Sequence, residues 1–372
     1  MDETLQQEYI NYLACHGLKP RAVPSNMDEM RRAMLTHMFA EAKARGDAGA
    51  EIFKQLSALD ESETAYSLKT RHPAQLVIER YANEIEKNIS KHRSLSARFA
   101  HNVYAGEFPT GSINCQVVKV SGGFLVLVDS GILVLFHQVS YLLAGKQLDD
   151  DSDEDILDSV AKILVAYFGF GDPFYGPAPV SGGFKSILAL QLSDAVMRFI
   201  IGHEYAHMLL GHFDDERPAQ EMVQTEVGTI EVLKRSWAQE FEADDLGHRL
   251  AMGLEKYDDI DLTVIDQAIE GSDRDILDAS RIKSEMAAPW IFFGVVALVE
   301  SIRAALAAAG AMAPSEGKHP PARERLGKLT HFMSLEARYT GFMSLCGPMM
   351  SYQPEICIKV LKELKAQGHI TV

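Results

Sequence analysis

His203-Glu204-Tyr205-Ala206-His207 constrains this chain more than any other stretch. Histidines four residues apart project from one face of a helix, where both imidazoles reach a single metal ion. The glutamate directly after the first histidine then lies beside the ion's open position, where it can take a proton from water. The flanks fit a helix, with Val196, Phe199, Ile200, Met208 and Leu209 as apolar backing and Gly211 placed to end it. An amphipathic helix with two solvated or capping histidines has the same pattern, so the pentapeptide needs a third ligand to become a metal site.

One arrangement of such sites takes a third histidine from H-E-x-x-H-x-x-G-x-x-H. Here Leu210 and Phe213 stand at the glycine and histidine positions, which excludes it. His212 is one residue off and is expected past the helix end. The other arrangement takes a glutamate from a second helix. Downstream, Ser236-Trp237-Ala238-Gln239-Glu240-Phe241-Glu242-Ala243-Asp244-Asp245-Leu246-Gly247 puts Glu240, Asp244 and His248 on one helical stripe. Glu240 can complete the metal shell, and Asp244, one turn on, can accept the outer N–H of a ligand histidine and fix its tautomer. An acidic solvated helix face is the competing account. His248 reads as a packed or surface histidine rather than part of the site.

H-E-x-x-H followed by E-x-E-A-D and a glycine resembles the gluzincin peptidases of the CAAX-prenyl-protease and HtpX type. His319-Pro320-Pro321-Ala322-Arg323-Glu324-Arg325 is similar to that family's H-P-P-x-x-x-R block. The resemblance implies that His319 stabilises an oxyanion or binds substrate and that Arg325 orders the site; a plain helix-opening turn is the alternative. Asn114 and the stretch Gly122 to Leu133 resemble the family's strand before the zinc helix. That strand is either an edge that could hold an extended peptide or a core strand. The likeness spans roughly residues 112–335, with residues from about 149 to 185 reading as an insertion. The family's membrane enzymes carry several spanning helices that this chain lacks, so a prenylated substrate does not carry over. A weaker similarity is to the soluble Lit-type phage-exclusion peptidases.

A hydrophobic content of 47% and a charged content of 24% are those of a globular chain with a large core. A net charge of −16 argues against nucleic acid or anionic lipid as the main partner. Cys15, Cys115, Cys346 and Cys357 lack metal-site spacing and suggest neither disulfides nor a cysteine metal site. With no secretory signal at Met1-Asp2-Glu3-Thr4, a reducing, cytoplasmic setting is expected. The apolar run Ala287 to Met312 carries Glu300 and Arg303 and is expected to be a buried core helix rather than a membrane span.

The pattern predicts an α+β fold, predominantly α-helical: an N-terminal helical region over residues 1–110, then a zincin-like catalytic domain over 111–372 with a small sheet. Helices are expected over Asp2–Gly17, Asn26–Gly46, Gly49–Leu59, Pro73–Val103, Val139–Leu143, Ile156–Phe168 and Ser186–Gly211. Two or three strands are expected between Ser112 and Phe136. Asp149–Asp155 reads as a solvated loop, and Gly169–Gly183 as a connector or a lid.

The functional expectation is a zinc metallopeptidase with one Zn²⁺ per chain on His203, His207 and Glu240, Glu204 as general base, and a protein or peptide substrate. Two alternatives stay open: a zinc-site protein that regulates or binds without hydrolysis, and a helical scaffold in which the motif is accidental.

Overall fold

The structure is a computed structural model that describes residues 3–23, 72–99, 101–148, 152–177, 183–213, 219–225, 228–234, 236–260, 273–313, 319–333 and 351–370. The helices expected over Asn26–Gly46 and Gly49–Leu59 lie outside those residues. The fold is α+β and predominantly helical, with a small mixed sheet.

The chain opens with α1 (Glu3–Cys15), then α2 (Pro73–Lys91) and the short α3 (Arg93–Ser96). Strands β1 (Val103–Phe108), β2 (Cys115–Val120) and β3 (Gly123–Asp129) follow, then α4 (Ser130–Leu148), α5 (Asp153–Phe170) and α6 (Gly183–Leu209). A hairpin of β4 (Ala219–Thr225) and β5 (Gly228–Lys234) precedes α7 (Trp237–Met252), α8 (Asp273–Ala308), α9 (Ala322–Met333) and α10 (Gln353–Ala366).

The three-stranded sheet has the order β1-β3-β2, with β1 parallel and β2 antiparallel to β3. Ala105, Val126 and Val117 share one row across it. Strand β3 is therefore central, and both its faces are covered. Phe124, Val126 and Val128 turn to the main core, while Leu125 and Leu127 pack with Tyr104 and Phe108 against Leu5, Tyr9 and Leu13 of α1. This double burial accounts for the unbroken apolar run at 124–128. Of the two readings open for Gly122–Leu133, the core strand is the observed one, and it passes into α4 at Ser130.

The helix expected to run to Val103 stops at Lys91, and β1 begins at Val103 instead. Pairing with β3 outweighs local helical preference there. Hairpin β4–β5 has no mark in the sequence, because Glu226-Val227 carries none of the usual turn residues between its strands. The connector at Gly169–Gly183 holds a short turn, Pro173–Tyr175, whose Pro173 carbonyl accepts from Gln138 of α4.

Helix α6 is the centre of the molecule. Apolar residues surround it, from Leu192, Val196 and Phe199 to Ile201 and Tyr205, as expected for a helix packed on several sides. Helices α2, α4, α7 and α8 and strands β2 and β3 lie against it. The stretch Ala279–Ala308 of α8 is long and apolar enough to cross a bilayer by length and composition; half of its most apolar window is buried inside the protein.

Pro289 sits inside α8 and has no N–H for the carbonyl of Glu285 one turn back. His248 of α7 supplies the missing donor: its Nε2 lies 3.0 Å from the Glu285 oxygen, and its Nδ1 lies 3.2 Å from the Tyr257 hydroxyl. Burial pushes this imidazole down to about 4, so it packs as a neutral ring. The packed reading of His248 describes its place in the fold.

Candidate metal centre

Two local devices aim the candidate ligands. Helix α7 starts at a capping box in which the Ser236 hydroxyl accepts from the Gln239 amide and the Gln239 side chain accepts from the Ser236 amide. This fixes the first turn, which carries Glu240. The second device is the crossing of α6 with α7. A β-carbon built on Gly202 would stand 2.6 Å from the Gly247 carbonyl oxygen, and one on Gly247 would stand 2.6 Å from His203 Cα. Two glycines let the backbones touch and bring α7 within side-chain reach of the histidines.

His203 Nε2 and His207 Nε2 lie 3.0 Å apart. Glu240 Oε2 is 3.6 Å from the first and Oε1 is 3.6 Å from the second. Tetrahedral zinc with ligands about 2.0–2.1 Å away separates them from one another by roughly 3.3 Å, close to the observed spacings. Among the described residues, His203, His207 and Glu240 form a buried group whose ligand atoms all lie within 4.8 Å of one another. Both Glu240 oxygens are buried without a well-formed hydrogen bond, a costly state for a carboxylate unless a cation takes the lone pairs. The donor set therefore fits a metal ion.

Charges behind this group are matched. His203 Nδ1 lies 2.9 Å from Asp244 Oδ1, and Arg325 binds Asp244 through Nη2 at 2.5 Å and Nε at 2.8 Å. Arg325 Nη2 also stands 3.5 Å from Glu240 Oε2, and its guanidinium is stacked on the Phe293 ring. Burial alone would raise the Glu240 carboxyl, but His203, His319 and Arg325 outweigh it and hold Glu240 far below the ordinary carboxylate range. Burial would lower His203, yet Asp244 and Glu240 raise it to about 9. The pocket is built for positive charge, which is what a metal site requires.

His319 is 54% exposed and its Nδ1 stands 3.1 Å from Glu240 Oε2, at the rim of the group. Pro320 and Pro321 lead from it into α9, whose first turn carries Arg325 inward. The Glu204 carboxyl, on the same helix as the two histidines, is buried, and its Oε2 accepts from the Val117 amide at 2.9 Å. Val117 lies on β2, the sheet edge facing α6, so this edge and the proposed base are neighbours. The opposite edge, β1, is closed by Gln75, which bonds the Ala105 carbonyl and the Glu107 amide.

The structure thus brings His203, His207, Glu240, Asp244, His319 and Arg325 into one cluster, while the Glu204 carboxyl, next to His203 in the chain, is held by the Val117 amide. His212 lies past the helix end, as expected; sequence reasoning missed Gly202, the Val117 amide and the contact of His212 with His207. His212 had a signal, since Gly211 before it marks a helix end that turns the next residue back. The Val117 amide had none, because any strand residue offers an N–H. Comparison of the chain with protein-family models, curated proteins and solved structures finds no match.

Proposed function

We propose that this protein is a zinc-dependent endopeptidase. The observation that carries the reading is the convergence of two imidazoles and one buried carboxylate from α6 and α7, backed by a second row of charged partners. His203, His207 and Glu240 would hold the ion. When bound, zinc lowers the pKa of a water toward about 7 and polarises a carbonyl. Glu204 takes the proton from the attacking water and returns it to the leaving amine. The edge of β2 beside it offers backbone groups to an extended peptide, which would set the scissile carbonyl next to Glu204. His319, at the rim, donates to the oxyanion as charge develops. Asp244 and Arg325 keep His203 in one orientation and tautomer. The resemblance of the three motifs to gluzincin peptidases supports the same roles.

The test combines metal analysis with digestion of a peptide library, with and without chelator. Wild type should carry one zinc per chain and cleave. Glu204→Gln should keep the zinc and lose at least about 100-fold in cleavage, the usual span of a general base. Cleavage by Glu204→Gln at the wild-type rate would refute the mechanism. A second reading, a zinc-site protein that binds or regulates without hydrolysis, is favoured by the burial of Glu204 and its bond to the Val117 amide. Bound zinc without cleavage by wild type would select it.

A further inference from the structure

The two ligand histidines are supported differently. His203 has the Asp244 carboxylate on its outer nitrogen, whereas the outer nitrogen of His207, Nδ1, lies 2.7 Å from Nδ1 of His212. The cause is local. Helix α6 ends through Gly211, whose φ of 72° is left-handed, and the His212 amide bonds back to the His207 carbonyl at 3.1 Å. In this type of helix end the residue after the glycine folds back over the one five positions earlier, usually for an apolar contact. Here both residues are histidines, with rings 5.0 Å apart. On its far side His212 Nε2 lies 3.4 Å from Oε2 of Glu242, which is 62% exposed on α7, two residues after Glu240.

We infer that His212 is a positioning residue for metal binding, which fixes the tautomer and aim of His207 through a relay ending at Glu242. The proton count is closed. For His207 Nε2 to present a lone pair to a cation, its proton must sit on Nδ1. His212 then accepts at Nδ1 and keeps its own proton on Nε2, which faces the Glu242 carboxylate. The three groups share an arrangement that leaves the metal-facing nitrogen of His207 unprotonated. Without the acceptor, the ring is free to carry its proton on Nε2 or to turn. This rests on the metal-site reading above, and it assigns His212 a role that the spacing of the ligand motif does not.

The experiment measures Zn²⁺ affinity by competition with a chromogenic chelator, the Co²⁺ absorption spectrum and the urea midpoint of the metal-free protein. His212→Phe keeps a ring but removes the acceptor; His212→Ala is a second acceptor-free variant should the first not fold. His212→Asn retains an acceptor near the Nδ1 position. The acceptor-free variants should bind Zn²⁺ about 10–100-fold more weakly, the usual loss for such an outer partner, with an altered Co²⁺ spectrum. His212→Asn should recover most of that loss, although its metal-free stability is no closer to wild type. Wild-type affinity in the acceptor-free variants, or an equal loss in His212→Asn, would overturn the role of His212. Failure of the wild-type protein to bind Zn²⁺ or Co²⁺ would overturn the metal site itself, a separate result.

Discussion

Gly247 lies where α7 meets α6, and Gly247→Ala tests whether that contact sets the geometry of the proposed metal centre. The added methyl would stand 2.6 Å from both Cα and N of His203 and 3.0 Å from the Gly202 carbonyl carbon. These are backbone atoms in a helix, so no side chain can swing aside. Restoring an ordinary contact requires the helices to part by roughly 0.4–0.8 Å, a strain that costs about 1–3 kcal/mol in a packed interior. Glycine-to-alanine within a helix otherwise gains about 1 kcal/mol, so the net stability change lies between neutral and a loss of about 2 kcal/mol. Metal binding is the sharper readout. Glu240 lies two turns from Gly247 on the same helix, and metal ligands tolerate only about 0.2 Å of displacement. Zn²⁺ affinity should therefore fall about 10–100-fold, as when a supporting partner is lost. Gly327→Ala on α9 is the control, because a β-carbon there meets nothing within 4 Å. That variant should gain up to about 1 kcal/mol in urea melts and keep its metal affinity. If Gly247→Ala matched Gly327→Ala in both stability and Zn²⁺ affinity, the close crossing would not be what holds the site together.

Two buried groups outside the proposed metal centre should make stability depend on pH, with opposite signs. His248 has its pKa lowered to about 4 from 6.5, so its stabilising contribution is full above pH 6.5 and disappears as pH falls through 4. His248→Leu should flatten about 3 kcal/mol of that acid dependence in paired urea titrations, since each tenfold change in proton affinity is worth about 1.4 kcal/mol. The same variant orphans the Glu285 carbonyl, and Pro289→Ala, which restores an amide to that carbonyl, should shrink its cost by about 1–2 kcal/mol in a double-mutant cycle; strict additivity would contradict the pairing. Asp129, raised by burial to about 8 from 3.8 against a bond from Thr110, has the opposite sign. Its contribution is full below pH 3.8 and is lost as pH rises through 8. Asp129→Asn should thus gain on wild type steadily over that range, by about 6 kcal/mol at most, and a pH-independent difference in melting would refute the assignment.

Much of the site was legible along the chain, because its parts are local. A separation of four positions from His203 to His207 places two imidazoles on one side of any helix, and the same spacing sets Glu240 above Asp244. The capping box at Ser236 and Gln239 is also written in the sequence, since its partners are three residues apart. Alternation and apolar runs marked β2 and β3, but not which strand lies in the middle. Strand β1 was hidden because its reason for being a strand is a partner 21 residues further on, Val103 beside Phe124. The apolar stretch of α8 looked buried from composition, whereas the bond from His248 to the carbonyl freed by Pro289 joins residues 37 apart and had no local mark.

By itself the sequence determined which side chains could share a helix face and that the chain is mainly helical, and it marked individual helix ends such as the capping box at Ser236. Only the tertiary structure decided that α6 and α7 cross at Gly202 and Gly247, that Arg325 comes in behind Asp244, and that the β2 edge meets Glu204. Periodicity fixes directions around one helix axis. It contains no information on the distance between two axes, which depends on how small the residues are at the point where they touch.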